Sequence, residues 1–170
     1  MTLSATANDT SEAGRVELYT LTNQASFPTG TQTVTLQGCT ATGKWATCST
    51  VTADQPRTVV HGSNTVDTTT AANPTATITT TVYTLSYGGV HSGAAAPATA
   101  VGSGCTLQHS NDYGALCANT LRRTSYDAAG SIAVQATLTS DDYCAAAVAL
   151  TEAADPSAYS AGAVGNGPLY

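Results

Sequence analysis

The chain has 170 residues, a formal net charge of −6 and only 9% charged residues, whereas average globular proteins have roughly 25%. This length predicts a single domain, spanning residues 1–170, that is large enough to bury a core. Five basic residues argue against strong polyanion binding, because affinity for phosphates grows with the number of Lys and Arg contacts. Weak repulsion between copies is compatible with ordered self-association.

The amino terminus carries no recognisable targeting signal. It lacks both the basic start and the apolar run of a signal peptide. No segment reaches the roughly 20 consecutive apolar residues that a membrane-spanning helix requires. We therefore expect no membrane partner.

The first two thirds of the chain are rich in β-type patterns. Residues 1–14 are interpreted as a polar arm. Alternating residues 16–22 and 31–37, on either side of a turn-rich segment, predict an amino-terminal hairpin. Further strands are predicted over residues 44–52, 57–66 and, most strongly, 75–87, which are dense in β-branched side chains.

The last third predicts a loop, a strand and helices. Residues 88–121 are interpreted as a long loop because they are rich in glycine and alanine. Residues 131–139 alternate, with Ile132, Val134 and Leu138 on one face. A helix is predicted over residues 141–154, capped by Ser140 or Asp141, and Pro156 opens a second short helix.

The sequence contains no recognisable catalytic or cofactor motif. His61, His91 and His109 are not part of a nucleophile motif, and the glycine-rich segments lack the residues of a phosphate loop. We therefore expect neither an enzyme, nor a bound cofactor, nor a metal site. The five cysteines have no Cys-x-x-Cys spacing. Cys39 and Cys48 flank a glycine-containing turn and could pair across a hairpin, whereas Cys144 is interpreted as a small buried thiol.

The order of these elements resembles the coat proteins of small single-stranded RNA bacteriophages. The resemblance rests on residues 122–126, the alternating strand, the Ser140-Asp-Asp start of the alanine-rich helix, and the closing segments 155–159 and 166–170. It implies an α+β fold: an N-terminal β-hairpin, a five-stranded antiparallel sheet, and two C-terminal helices that cover one face in an intertwined dimer. The implied function is a coat subunit that forms a homodimer and then an icosahedral shell around single-stranded RNA in a virion.

The resemblance also implies roles for individual residues. Tyr126 matches the position of the family's RNA-stacking tyrosine, and the RNA contact would lie on the polar sheet face with Gln135 and Thr137. The basic residues expected to assist are Arg122, Arg123, Lys44 and Arg57. Cys105 and Cys117, in the predicted loop, are similar to cysteines that cross-link the shells of some members, so they are predicted to form disulfides within or between subunits.

A second interpretation is a β-rich subunit of another assembly. The threonine-rich, charge-poor composition and the long polar arm suit a phage tail or decoration protein, or an extracellular fibre or adhesin, equally well. This interpretation predicts neither a spherical particle nor RNA protected from nucleases.

Overall fold

The computed structural model describes residues 2–9, 14–20, 33, 35, 59–67, 72–81, 84–93, 100–102, 104–112, 117–125, 127–138 and 140–151. Within these ranges the chain forms strands only. They are β1 (Thr2–Asn8), β2 (Arg15–Thr20), β3 (Val59–Asp67), β4 (Thr75–Thr80), β5 (Thr84–Ser92), β6 (Ala100–Val101), β7 (Cys105–Asp112), β8 (Cys117–Arg123), β9 (Gly130–Thr137) and β10 (Tyr143–Thr151).

The largest sheet of the described residues has five strands in the order β3-β10-β5-β8-β7. Every neighbouring pair in this central sheet is antiparallel. The last of the described strands, β10, therefore lies in the interior of the sheet, between β3 and β5. The end strands are β3 and β7.

Strand β10 is buried on both of its faces. Tyr143, Ala145, Ala147 and Ala149 belong to one apolar core, which they share with strands of a second sheet. The alternate residues Cys144, Ala146 and Val148 belong to another core, on the opposite face. The central sheet is therefore the middle of three layers.

One outer layer is a hairpin made of β1 and β2, which are antiparallel. Its turn is closed by the backbone N–H of Asp9, which donates to the carbonyl of Gly14 at 2.7 Å. Ala5 and Ala7 are buried against β10, together with the partly buried Val16 and Leu18. The small alanines allow the hairpin to approach the central sheet closely.

The other outer layer is a three-stranded sheet in the order β4-β9-β6. In β9, Ile132, Val134 and Ala136 are buried, while the residues between them are exposed or half-buried. The structure thus confirms the alternation predicted for this strand. The apolar face packs against the central sheet, in a core with Ala76 and Ile78 of β4.

The α+β fold with C-terminal helices is wrong for the described residues. Where the sequence predicts a helix over 141–154, the structure has the strand β10, paired on both sides. The second helix, after Pro156, lies outside the described residues. Without the first helix, the described part of the chain also lacks the element that would cover a partner's sheet in an intertwined dimer.

Residues 143–151 form a strand instead of a helix because both faces of this segment are buried. Alanine favours a helix in an isolated segment, but an amphipathic helix would keep one face in water. Residues 143–149 are all buried, with Ala145, Ala146 and Ala147 at 0% exposure. A short apolar run with no polar face is compatible with a fully buried strand, and tertiary packing overrides the local preference of alanine.

Three further predictions are corrected. The polar arm over residues 1–14 contains β1, because Ala5 and Ala7 supply an apolar face to the hairpin. The partner of β2 is β1, and residues 31–37 lie largely outside the described residues. The long loop over 88–121 contains the end of β5, all of β6 and β7, and most of β8. Its glycines permit close packing: a Cβ on Gly88 would lie 2.7 Å from Val134 Cγ1.

The single long strand predicted over residues 75–87 is divided between two sheets. Strand β4 ends at Thr80 in the outer sheet, and β5 begins at Thr84 in the central sheet. Thr84 exchanges two backbone hydrogen bonds with Asp127, of 3.0 and 2.8 Å. This bridge holds the chain where it passes from one layer to the next.

Candidate interaction surface on the central sheet

Among the described residues, the hairpin packs against β10, β3 and β5, and one face of β8 and β7 lies beyond it. Across the sheet, Tyr87 of β5 pairs with Arg122, and Arg122 pairs with Thr106. The next two rows of cross-strand partners are Gly89, Thr120 and His109, and then His91, Ala118 and Asn111. Residues in such rows share a face, because side chains alternate along each strand. We call the outer part of this face the β8–β7 shelf: Arg122, Thr120, Ala118, Thr106, His109 and Asn111.

Arg122 is the cation of the shelf. Its side chain is half-buried, and its positive charge lies close enough to the Tyr87 phenol to lower the pKa of that group. Among the described residues no carboxylate lies within ion-pair distance of Arg122, whereas Arg15 pairs with Glu17 and Arg123 with Asp127. An arginine that presents several N–H donors without a carboxylate is suited to bind an oxyanion.

The proximity of Tyr87 and Arg122 predicts that the pKa of Tyr87 depends on Arg122. Burial raises the pKa of Tyr87, and the nearby positive charge of Arg122 opposes this shift. We expect Arg122→Gln to raise the pKa of Tyr87 further, because the tyrosinate loses its neighbouring cation. The folded chain holds this proton more tightly than the unfolded chain does. The stability that Tyr87 contributes is therefore complete below a pH of about 10 and is lost as the pH rises beyond it.

Ultraviolet difference titration measures this pKa. Subtracting the curve of Tyr87→Phe isolates Tyr87 from the other tyrosines, and the comparison is repeated in the Arg122→Gln background. Identical Tyr87 titrations with and without Arg122 would contradict the contact.

Arg123 lies on the opposite face of β8 and has a structural role. Its Nε and Nη2 donate to the two carboxylate oxygens of Asp127, at 2.9 and 2.8 Å, and its Nη1 donates to the carbonyl of Ala133 at 3.2 Å. The hydrogen bond to Asp127 raises the pKa of Arg123, although burial opposes the rise. Arg123 thus ties β8 to β9 and to the bridge at Asp127.

Gln135 and Thr137 lie in the outer sheet, on the other side of the molecule from the shelf. Gln135 Nε2 donates to Thr75 Oγ1 at 2.8 Å, and Thr137 Oγ1 donates to Asn73 Oδ1 at 3.1 Å. The structure therefore does not bring Arg122 together with Gln135 and Thr137 on one polar face. Tyr126, Lys44 and Arg57 lie outside the residues whose side chains the structure describes.

Cys105 and Cys117 do not form the disulfide predicted within one chain. In the β7–β8 ladder, Cys105 lies opposite Arg123 and Cys117 lies opposite Asp112. The two cysteines are thus at opposite ends of the ladder, about 20 Å apart along the strands, whereas a disulfide needs Cα atoms within about 7 Å. Both are buried, at 6% and 0% exposure, which also disfavours a bond to a neighbouring subunit. Cys144 is buried, as predicted, and Cys39 and Cys48 lie outside the described residues.

A buried aspartate and a half-buried histidine join the hairpin to the central sheet. Asp9 Oδ2 lies 4.0 Å from His91 Nδ1, and the two side chains are 0% and 14% exposed. A Cβ on Gly14 would overlap the His91 imidazole, so the hairpin turn rests directly on the ring. Sequence reasoning missed this pair, because Asp9 belonged to a segment interpreted as a polar arm.

The described residues contain no group of three His, Cys, Asp or Glu side chains arranged to hold a metal ion. They also contain no helix long and apolar enough to cross a membrane.

Comparison of the chain with protein-family models, with curated proteins and with solved structures gives no significant match.

Proposed function

We propose that this protein is a non-catalytic structural subunit that associates with copies of itself. The proposed class of protein is a β-rich tail or decoration protein of a phage, or a subunit of an extracellular fibre or adhesin. The observation that carries the proposal is an exposed apolar pair on the outer face of the hairpin, formed by Leu3 and Tyr19. They are 44% and 50% exposed and are the exposed large hydrophobic residues of the described part of the chain.

The two side chains form one patch. Leu3 and Tyr19 are direct partners in the β1–β2 ladder, so they lie side by side. The Tyr19 hydroxyl donates to Glu17 Oε2 at 3.1 Å, and Glu17 also pairs with Arg15. An apolar pair with a polar rim is typical of a protein–protein contact, whereas isolated exposed hydrophobic residues need no explanation.

The end strands of the central sheet add a second route to association. Within the part of the chain that the structure describes, β3 and β7 each have a ladder partner on one side only, and an end strand of this kind can accept a further strand. The low charge of the whole chain opposes such contacts only weakly.

Light scattering coupled to size-exclusion chromatography tests the proposal directly. We expect a species several times heavier than the 17.0 kDa chain. Negative-stain micrographs should show fibres, rings or sheets. A stable monomer at micromolar concentration would contradict the proposal.

An RNA-enclosing coat subunit of a virion is the second candidate. It is favoured by Arg122 beside Tyr87, since a cation and an aromatic ring together suit phosphate and base contacts. Its support from the order of elements is reduced, because the helix that carried the resemblance is a strand. Uniform hollow spheres that protect RNA from nuclease would favour this candidate over the first.

A further inference from the structure

The central sheet has an acidic end. Asp67 closes β3, Asp112 closes β7, and Asp141 and Asp142 directly precede β10. The pairing of Cys144 with Asp67, of Tyr143 with Ser92 and of Asp112 with Cys117 brings all four to one end of the sheet. We call this set the acidic end. In the described part of this end, Asp141 and Asp142 are half-buried, and Asp141 Oδ1 accepts a hydrogen bond from the backbone N–H of Asp142 at 2.8 Å.

The opposite end of the sheet carries arginines. Strand β8 ends at Arg122 and Arg123, next to the first residue of β7. Asp127 neutralises Arg123 through two hydrogen bonds. Among the described residues, Arg122 therefore supplies the positive charge of this end, on the β8–β7 shelf.

The two ends cannot neutralise each other within one chain. Arg122 is linked across the sheet through Tyr87 to Val148 of β10. From Val148 back to Asp141 is about 20 Å of chain. This exceeds the distance of about 8–10 Å over which exposed charges interact at ordinary salt concentrations.

We propose that the arginine end of one copy binds the acidic end of a second copy, with Arg122 contacting Asp141. The proposal rests on the self-association proposed above and specifies its direction. The two contacting surfaces differ, so the contact is head-to-tail, and it produces a ring if it closes and a filament if it does not. Complementary charge also selects this pairing over one between like ends, which would place acid against acid.

A charge exchange tests the contact. Arg122→Glu and Asp141→Lys are made singly and together in the full chain, and association is measured by sedimentation velocity. Each single variant is expected to raise the dissociation constant at least about tenfold, as loss of a close charged pair does in other interfaces. The double variant restores opposite charges across the contact and should recover to within about threefold of the wild type. Thr79→Glu is the matched control for an added negative charge, since Thr79 is exposed in β4 of the outer sheet and belongs to neither end of the central sheet.

Three outcomes would overturn the inference. An assembled Arg122→Glu variant with unchanged affinity would exclude Arg122 from the contact while leaving self-association intact. Weak association in both single variants without recovery in the double variant would exclude the pairing of Arg122 with Asp141. Loss of copurified nucleic acid from Arg122→Glu, with association unchanged, would assign Arg122 to phosphate binding. A monomeric wild type would instead refute the proposed function itself. Circular dichroism establishes that each variant is folded.

Discussion

Replacing Ala147 by leucine should lower the free energy of unfolding by about 1–3 kcal/mol, the usual cost of overpacking a core. Ala147 has no exposed surface and lies opposite Gly88 in the central sheet. The layer beside it is so close that a Cβ on Gly88 would meet Val134 Cγ1 at 2.7 Å. An isobutyl group at position 147 can enter only by forcing the two sheets apart. Urea unfolding followed by circular dichroism measures the change.

The matched control is Ala133→Leu, on the exposed face of β9. This variant should change stability by no more than about 0.5 kcal/mol, as is usual for surface substitutions. The comparison also distinguishes the strand from the helix that the sequence predicts, because leucine is nearly as good a helix former as alanine. Equal stabilities for the two variants would contradict the buried position of β10.

Replacing both Leu3 and Tyr19 by threonine should weaken self-association at least about tenfold. Burial of a large apolar side chain contributes about 1.5–3 kcal/mol, and tyrosines dominate many interfaces. Threonine favours a strand, so the hairpin should keep its pairing while losing the exposed patch. Analytical ultracentrifugation over a range of concentrations provides the dissociation constants.

Asn8→Thr is the control for this pair, because Asn8 is exposed on the same hairpin, opposite Arg15. Its association should match that of the wild type. If the double variant sediments like the wild type, the hairpin face is not a contact surface. The contact through Arg122 and Asp141 would then be tested on its own.

Some features of the fold could be predicted from local pattern alone. The alternation of Ile132, Val134 and Leu138 with polar neighbours predicts β9 and its buried face, and both are present. The strand predicted over residues 57–66 corresponds to β3. These predictions succeed because a strand with one wet face repeats every two residues, whichever layer covers it.

The candidate surface could be predicted only in part. The adjacent arginines were recognised as possible contacts, but adjacent strand residues point to opposite faces. Arg122 therefore lies on the shelf, whereas Arg123 binds Asp127 beneath it. The bridge between Thr84 and Asp127 joins residues far apart in the chain. It positions Asp127, and the position of Asp127 determines which of the two arginines is neutralised.

The sequence by itself determined the β-rich character of the chain, its low charge and the two-residue period of its amphipathic strands. Only the tertiary structure decided the state of residues 143–151, where alanine's local preference and its burial oppose each other. A helix is favoured while the segment is considered alone, but a central strand lets the same small side chains fill two narrow interlayer spaces. Pairing with β3 and β5 also satisfies its backbone on both sides. That arrangement depends on partners more than 50 positions away, and no local pattern contains them.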